Sequence, residues 1–114
     1  MSIAITVCFI LAALLGAYLI SFILRNKNTP KGVALVHGPL AVLGFILLFF
    51  YLVLYSGHPW VSFIIFFIAA MGGFMLMFRD ITGKSLPKWF ALTHGIVALC
   101  GFIVLIYSLF FVPV

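Results

Sequence analysis

The chain has 114 residues, of which 68% are apolar and 6% charged, with six bases against one acid and a formal net charge of +5. A soluble domain carries about a quarter charged residues, so this chain cannot cover a water-facing surface, and its mean hydropathy of +1.47 makes lipid the solvent. The basic balance reflects membrane topology, with some attraction to anionic lipid headgroups, and gives no reason to expect a nucleic-acid partner.

Four apolar stretches follow in chain order, 3–24, 33–56, 60–78 and 89–112, separated by breaks at Arg25–Gly32, Gly57–Pro59 and Arg79–Lys88. Each reaches the roughly 20 residues a helix needs to cross a hydrocarbon core about 30 Å thick. Strands are excluded as spans, because lipid satisfies a strand backbone only in a closed barrel. These stretches are also too long for barrel strands and do not alternate. The predicted fold class is all-α integral membrane: an antiparallel four-helix transmembrane bundle made of two tandem helical hairpins, in one membrane domain.

The first stretch has no preceding base, is longer than a signal-peptide core and is followed by Arg25, so it reads as an uncleaved helix. The first break holds Arg25, Lys27 and Lys31, and the third holds Arg79, Lys84 and Lys88 together with Asp80. The positive-inside rule then puts loops 25–32 and 79–88 in the cytoplasm, and both termini and the Gly57–Pro59 turn outside a plasma (inner) membrane. Trp60 and Trp89 stand where spans meet the interfaces, as aromatic anchors do. Pro39 removes a backbone donor inside the second stretch and predicts a slight bend there. Cys8 and Cys100 fall at different depths in different spans and read as free thiols.

Pro30–Leu48 (PKGVALVHGPLAVLGFILL) and Pro87–Leu105 (PKWFALTHGIVALCGFIVL) are identical at eleven of nineteen positions without a gap. The shared Pro, Lys, His and two Gly are not lipid-facing filler. The preceding spans agree more loosely, through Ala12, Ala13, Gly16, Ala17 and Ala69, Ala70, Gly72, Gly73. The chain therefore reads as a duplicated hairpin, repeat 1 over 3–56 and repeat 2 over 60–112. Each copy has an even number of spans, so the two insert in the same direction about a pseudo-two-fold axis along the membrane normal.

The spans contain no carboxylate, which excludes acidic proton relays and carboxylate metal sites. His37 and His94 are their most chemically capable groups. Each follows a loop lysine by six residues, about 9 Å along a helix. Ala34, Ala41 and Gly44 share a helix face with His37, and Ala91, Ala98 and Gly101 share one with His94. Gly38 and Gly95 follow the histidines directly. Facing stripes of this kind predict a flat slot with an imidazole on either wall.

A flat ligand that takes two axial imidazoles is haem. Its propionates need cations, and Arg25, Lys31, Arg79 and Lys88 are the nearest. The expected cofactor is one haem b with His37 and His94 as iron ligands, exchanging electrons with a quinone or a redox partner protein, or serving haem carriage or sensing. Two other readings stand beside it. The histidines can be interhelical hydrogen-bond groups of a non-catalytic accessory subunit, or they can move protons or metal ions in a small transporter, for which a homodimer is one assembly. His58 reads as a turn residue on the outer side. Gly83-Lys84-Ser85 is not a P-loop, because Phe78 stands where its first glycine belongs and no strand precedes it.

Through His37-Gly38 and His94-Gly95 with their small neighbours, the chain resembles the small membrane-bound b-type cytochromes, which hold haem between histidines of a transmembrane four-helix bundle. The likeness covers the second and fourth helices. It departs from the two-haem families in offering a single intramembrane histidine pair.

Overall fold

A computed structural model of the chain describes residues 1–55 and 59–112. Four helices make it up: α1 (Ser2–Leu24), α2 (Lys31–Leu54), α3 (Trp60–Ile81) and α4 (Lys88–Phe110). No strand is present among the described residues. All four helices are long and apolar enough to cross a membrane. The Cα envelope measures 45 × 21 × 19 Å, and its long dimension matches a bilayer of about 40–45 Å with headgroups included. The expected turn at Gly57 and His58 lies outside the described residues.

Helix ends are set by the same chemistry in both repeats. Pro30 and Pro87 cap α2 and α4 in extended conformation, and their carbonyls accept from the N–H groups of Ala34 and Ala91, each at 3.1 Å. At the other end, α1 and α3 close with one residue at positive φ, Asn26 (56°) and Gly83 (74°). Lys27 N–H then reaches back to the Phe22 carbonyl and Lys84 N–H to that of Arg79, each at 2.9 Å. Asn26 N–H to Ile23 (3.1 Å) and Gly83 N–H to Asp80 (3.2 Å) complete a Schellman closure in both helices. The shift that carries Pro30 onto Pro87 carries each of these bonds onto its counterpart.

Arg79 is the counterpart of Phe22, and Arg25 that of Thr82, so the two loop arginines are not equivalent. Helix α3 also runs three residues past the apolar stretch, placing Arg79 and Asp80 on its last turn. Long or hydrogen-bonded polar side chains at a helix end reach water without breaking the helix. Helix α2 continues unbroken through Pro39.

Around the bundle, α1 touches α2 and α4, and α3 touches α2 and α4. The pairs α1/α3 and α2/α4 are diagonal, with no Cα atoms within 8 Å of each other among the described residues. Along α1 and α2 the contact order runs in opposite chain directions: Gly44 faces Cys8 and Phe9, while His37 faces Ala12 and Gly16. The same holds for α3 and α4, where Gly101 faces Ile65 and Phe66 and His94 faces Gly72 and Gly73. The core is Ile5, Phe9, Leu48, Phe66 and Leu105. Large apolar side chains such as Leu14, Phe74 and Ile103 point outward, each at least 60% exposed, an arrangement suited to lipid and not to water.

Candidate cofactor site between the paired histidines

His37 and His94 sit two turns into α2 and α4, the diagonal helices, and both are partly buried. Their surroundings repeat. A Cβ added at Gly16 would lie 2.9 Å from Cε1 of His37, and one added at Gly73 would lie 3.1 Å from Cε1 of His94. Each imidazole therefore rests in a notch that a glycine opens on the preceding helix. Gly72 adds a second glycine at the His94 level, 3.6 Å from its Nδ1 by the same measure.

The hydrogen bonding assigns the nitrogens. Nδ1 of His37 is 2.7 Å from the carbonyl oxygen of Ala12. A carbonyl only accepts, so Nδ1 carries a proton, and in the neutral ring Nε2 keeps its lone pair. The counterpart acceptor for His94 is the Ala69 carbonyl, which lies near it but outside bonding geometry, and Nδ1 of His94 is buried without a partner. An orphaned buried ring nitrogen is costly and marks the less settled of the two imidazoles.

The small stripes do not face one another across an open slot. Gly44 is filled by Cβ of Cys8 and the Phe9 ring, and Gly101 by Ile65 and the Phe66 ring, at 3.0–3.3 Å from an added Cβ. Gly38 lies 2.7 Å by that measure from the end of the Met77 side chain, and Gly95 lies 3.7 Å from Ile20. Ala34 and Ala91 are buried, and Ala41 and Ala98 are half-buried. The expected slot is thus corrected at the Gly44/Gly101 level, where close helix approach uses the small residues as packing faces. Cys8 serves there as a small apolar group, and both cysteines are free thiols.

The cations also differ from expectation. Lys31 is taken up by Asp80. Thr29 Oγ1 donates to both carboxylate oxygens of Asp80, at 2.9 and 2.8 Å, and accepts from Lys31 at 3.2 Å. Arg79 Nε donates to the Ser85 carbonyl at 2.9 Å, and Arg25 Nε to that of Ser21 at 2.9 Å. Lys88 is exposed on the first turn of α4. Of the four cations expected to serve propionates, Lys88 alone makes no side-chain hydrogen bond or ion pair among the described residues.

The fit to haem is therefore divided. The donor set suits it: two imidazoles from opposite corners, with a proton on Nδ1 of His37 leaving Nε2 to ligate, and glycines on the two flanking helices at the same level. Room for a macrocycle requires the rings to leave the notches that they fill in this packing. The preceding spans' Gly16 and Gly73 belong to this site as much as the residues beside the histidines. The signal for them was present, since the repeat shift applied to α1 and α3 pairs Ala12 with Ala69 and Gly16 with Gly73. No known protein family, curated protein or solved structure matches this chain.

Proposed function

We propose that the protein is a membrane-bound b-type cytochrome that holds one haem between His37 and His94, near a cytoplasmic face formed by the two basic loops. The observation that carries this reading is the Nδ1 bond of His37 to the Ala12 carbonyl, because a metal-binding imidazole commonly fixes its tautomer by donating its other nitrogen to such an acceptor. The matched level of His94 and the glycines of α1 and α3 support it. When bound, the haem would supply one-electron chemistry, with a quinone or a redox protein as the partner. The chain's own part is to present two neutral imidazoles, keep water from the interior and offer Lys88 to a carboxylate.

The test is the visible spectrum of protein purified in mild detergent after expression with ample haem. A Soret band with a sharp reduced α-band is the expected result. His37→Ala and His94→Ala should each abolish the six-coordinate low-spin signal, and His58→Ala should leave it unchanged. A colourless preparation that takes up no added haemin overturns the reading.

The same His37 to Ala12 bond favours a second reading. Here the His37 imidazole is a latch that ties α2 to α1, His94 fills the matching notch in the second hairpin, and the protein is an accessory subunit without a cofactor. In that case His37→Ala loosens the hairpin and no spectrum is ever seen.

Orientation belongs to the proposal too. A cysteine placed at Thr82 should react only with reagents that enter the cytoplasm, and one at Gly57 from outside. The reverse pattern overturns the assignment.

A further inference from the structure

A cavity of about 220 Å³ lies at the basic end of the bundle, lined by Lys27, Asn28 and Thr29 from the first loop and by Asp80, Lys84 and Ser85 from the end of α3 and the third loop. Most of this lining is paired by the repeat shift: Lys27 with Lys84, Asn28 with Ser85, Thr29 with Leu86, and Ile23 with Asp80. Both helix closures contribute, so the cavity sits between the two loops where the pseudo-two-fold axis leaves the bundle.

Its charge follows from the pairing. Asp80 is the only acid side chain of the chain and its charge is met by Lys31, with Thr29 donating to both of its oxygens. Lys27 and Lys84 keep their charges with no acidic side chain left to answer them, and the Schellman closures hold both backbones at 2.9 Å. The cavity is thus lined by two lysines without an acidic partner, among amide and hydroxyl side chains, and the Lys84 ammonium lies 6.0 Å from the centroid of the Phe78 ring. The cavity has room for a phosphate group with a few waters, each needing about 30 Å³. A phosphate offers several acceptor oxygens to donors arriving from two sides.

We infer that this axial cavity is a phosphate site, with Lys27 and Lys84 as its two cationic donors and Asn28 and Ser85 as polar walls. The phosphate belongs either to an anionic lipid headgroup or to a free phosphate species. Basic pockets between transmembrane helices hold lipid phosphates by this chemistry. The site is independent of the histidines and of any haem.

Native mass spectrometry of protein released from micelles doped with equal phosphatidylglycerol and phosphatidylcholine tests it, with helix content checked by circular dichroism. The wild type should retain one phosphatidylglycerol in preference to phosphatidylcholine. Lys27→Gln with Lys84→Gln should lower that retention by on the order of tenfold or more, Lys27→Arg with Lys84→Arg should restore it, and Lys88→Gln should leave it unchanged. Displacement by millimolar inorganic phosphate identifies a free phosphate as a sufficient ligand, whereas resistance to it identifies the lipid headgroup. Equal retention of the two lipids, retention unaltered in the double Gln variant, or a loss as large with Lys88→Gln overturns the proposal.

Discussion

Phe9 lies face to face on Phe66, with ring centroids 4.1 Å apart and planes 2° from parallel. The repeat shift carries one ring onto the other, so the stack lies where the pseudo-two-fold axis passes through the core. It also joins α1 to α3, the diagonal pair whose backbones do not meet. Each ring in turn fills the space left by the glycine of the neighbouring helix, Phe9 at Gly44 and Phe66 at Gly101.

Removing either ring should therefore be costly. Phe9→Ala and Phe66→Ala each leave a large void and one unstacked partner, for a loss of about 3 kcal/mol or more. The double variant should lose less than twice that, since the pair interaction can be lost only once. Unfolding in graded sodium dodecyl sulfate measures all three, and full additivity would show that the stack contributes nothing of its own.

The glycine notches give a graded series. Gly16→Ala sets a methyl 2.9 Å from the His37 ring, Gly73→Ala sets one 3.1 Å from that of His94, and Gly32→Ala meets nothing within 4 Å. Overpacking of this kind costs about 1–3 kcal/mol. The expected order of destabilisation in thermal unfolding is Gly16→Ala above Gly73→Ala, with Gly32→Ala harmless. If the protein takes up haem, the first two should also lower the Soret absorbance per chain.

The closure of α3 is tested by Gly83→Ala. An added Cβ has open space there, so the whole cost is that of holding alanine at φ 74°, about 1 kcal/mol. Comparing unfolding midpoints of the wild type and the variant isolates this backbone effect, and an unchanged midpoint would mean that the Schellman closure does not hold the loop.

Asp80→Asn removes the ion pair to Lys31 while leaving an acceptor for Thr29. The lysine side chain is 57% exposed, so solvent screens the pair and its loss should cost no more than about 1 kcal/mol. Freeing Lys31 adds a third uncompensated cation beside the axial cavity. Phosphatidylglycerol retention should accordingly rise, and a fall would show that Asp80 shapes the cavity more than it screens it.

Much of the architecture was legible because in a membrane the hydrophobic pattern and the cost of burying charge leave few choices. The helix starts at Lys31 and Lys88, residues that the sequence alone leaves in the loops, are set by the prolines before them, and the ends at Leu24 and Ile81 by Asn26 and Gly83. The end of α3 was misjudged because Arg79 and Asp80 look like loop residues, yet both find partners from the last turn.

The sequence by itself determined that four apolar helices exist, that the second hairpin repeats the first, and that His37 and His94 stand at equivalent depth. These follow from composition, periodicity and identity along one chain. Tertiary structure alone decided which neighbours the small residues meet. Gly44 and Gly101 receive phenylalanines, Gly16 and Gly73 receive the imidazoles, and Lys31 is claimed by an aspartate that its counterpart Lys88 does not have. A stripe of small residues states only that something approaches closely. What approaches is set by how the helices pack around the axis, and that depends on all four at once.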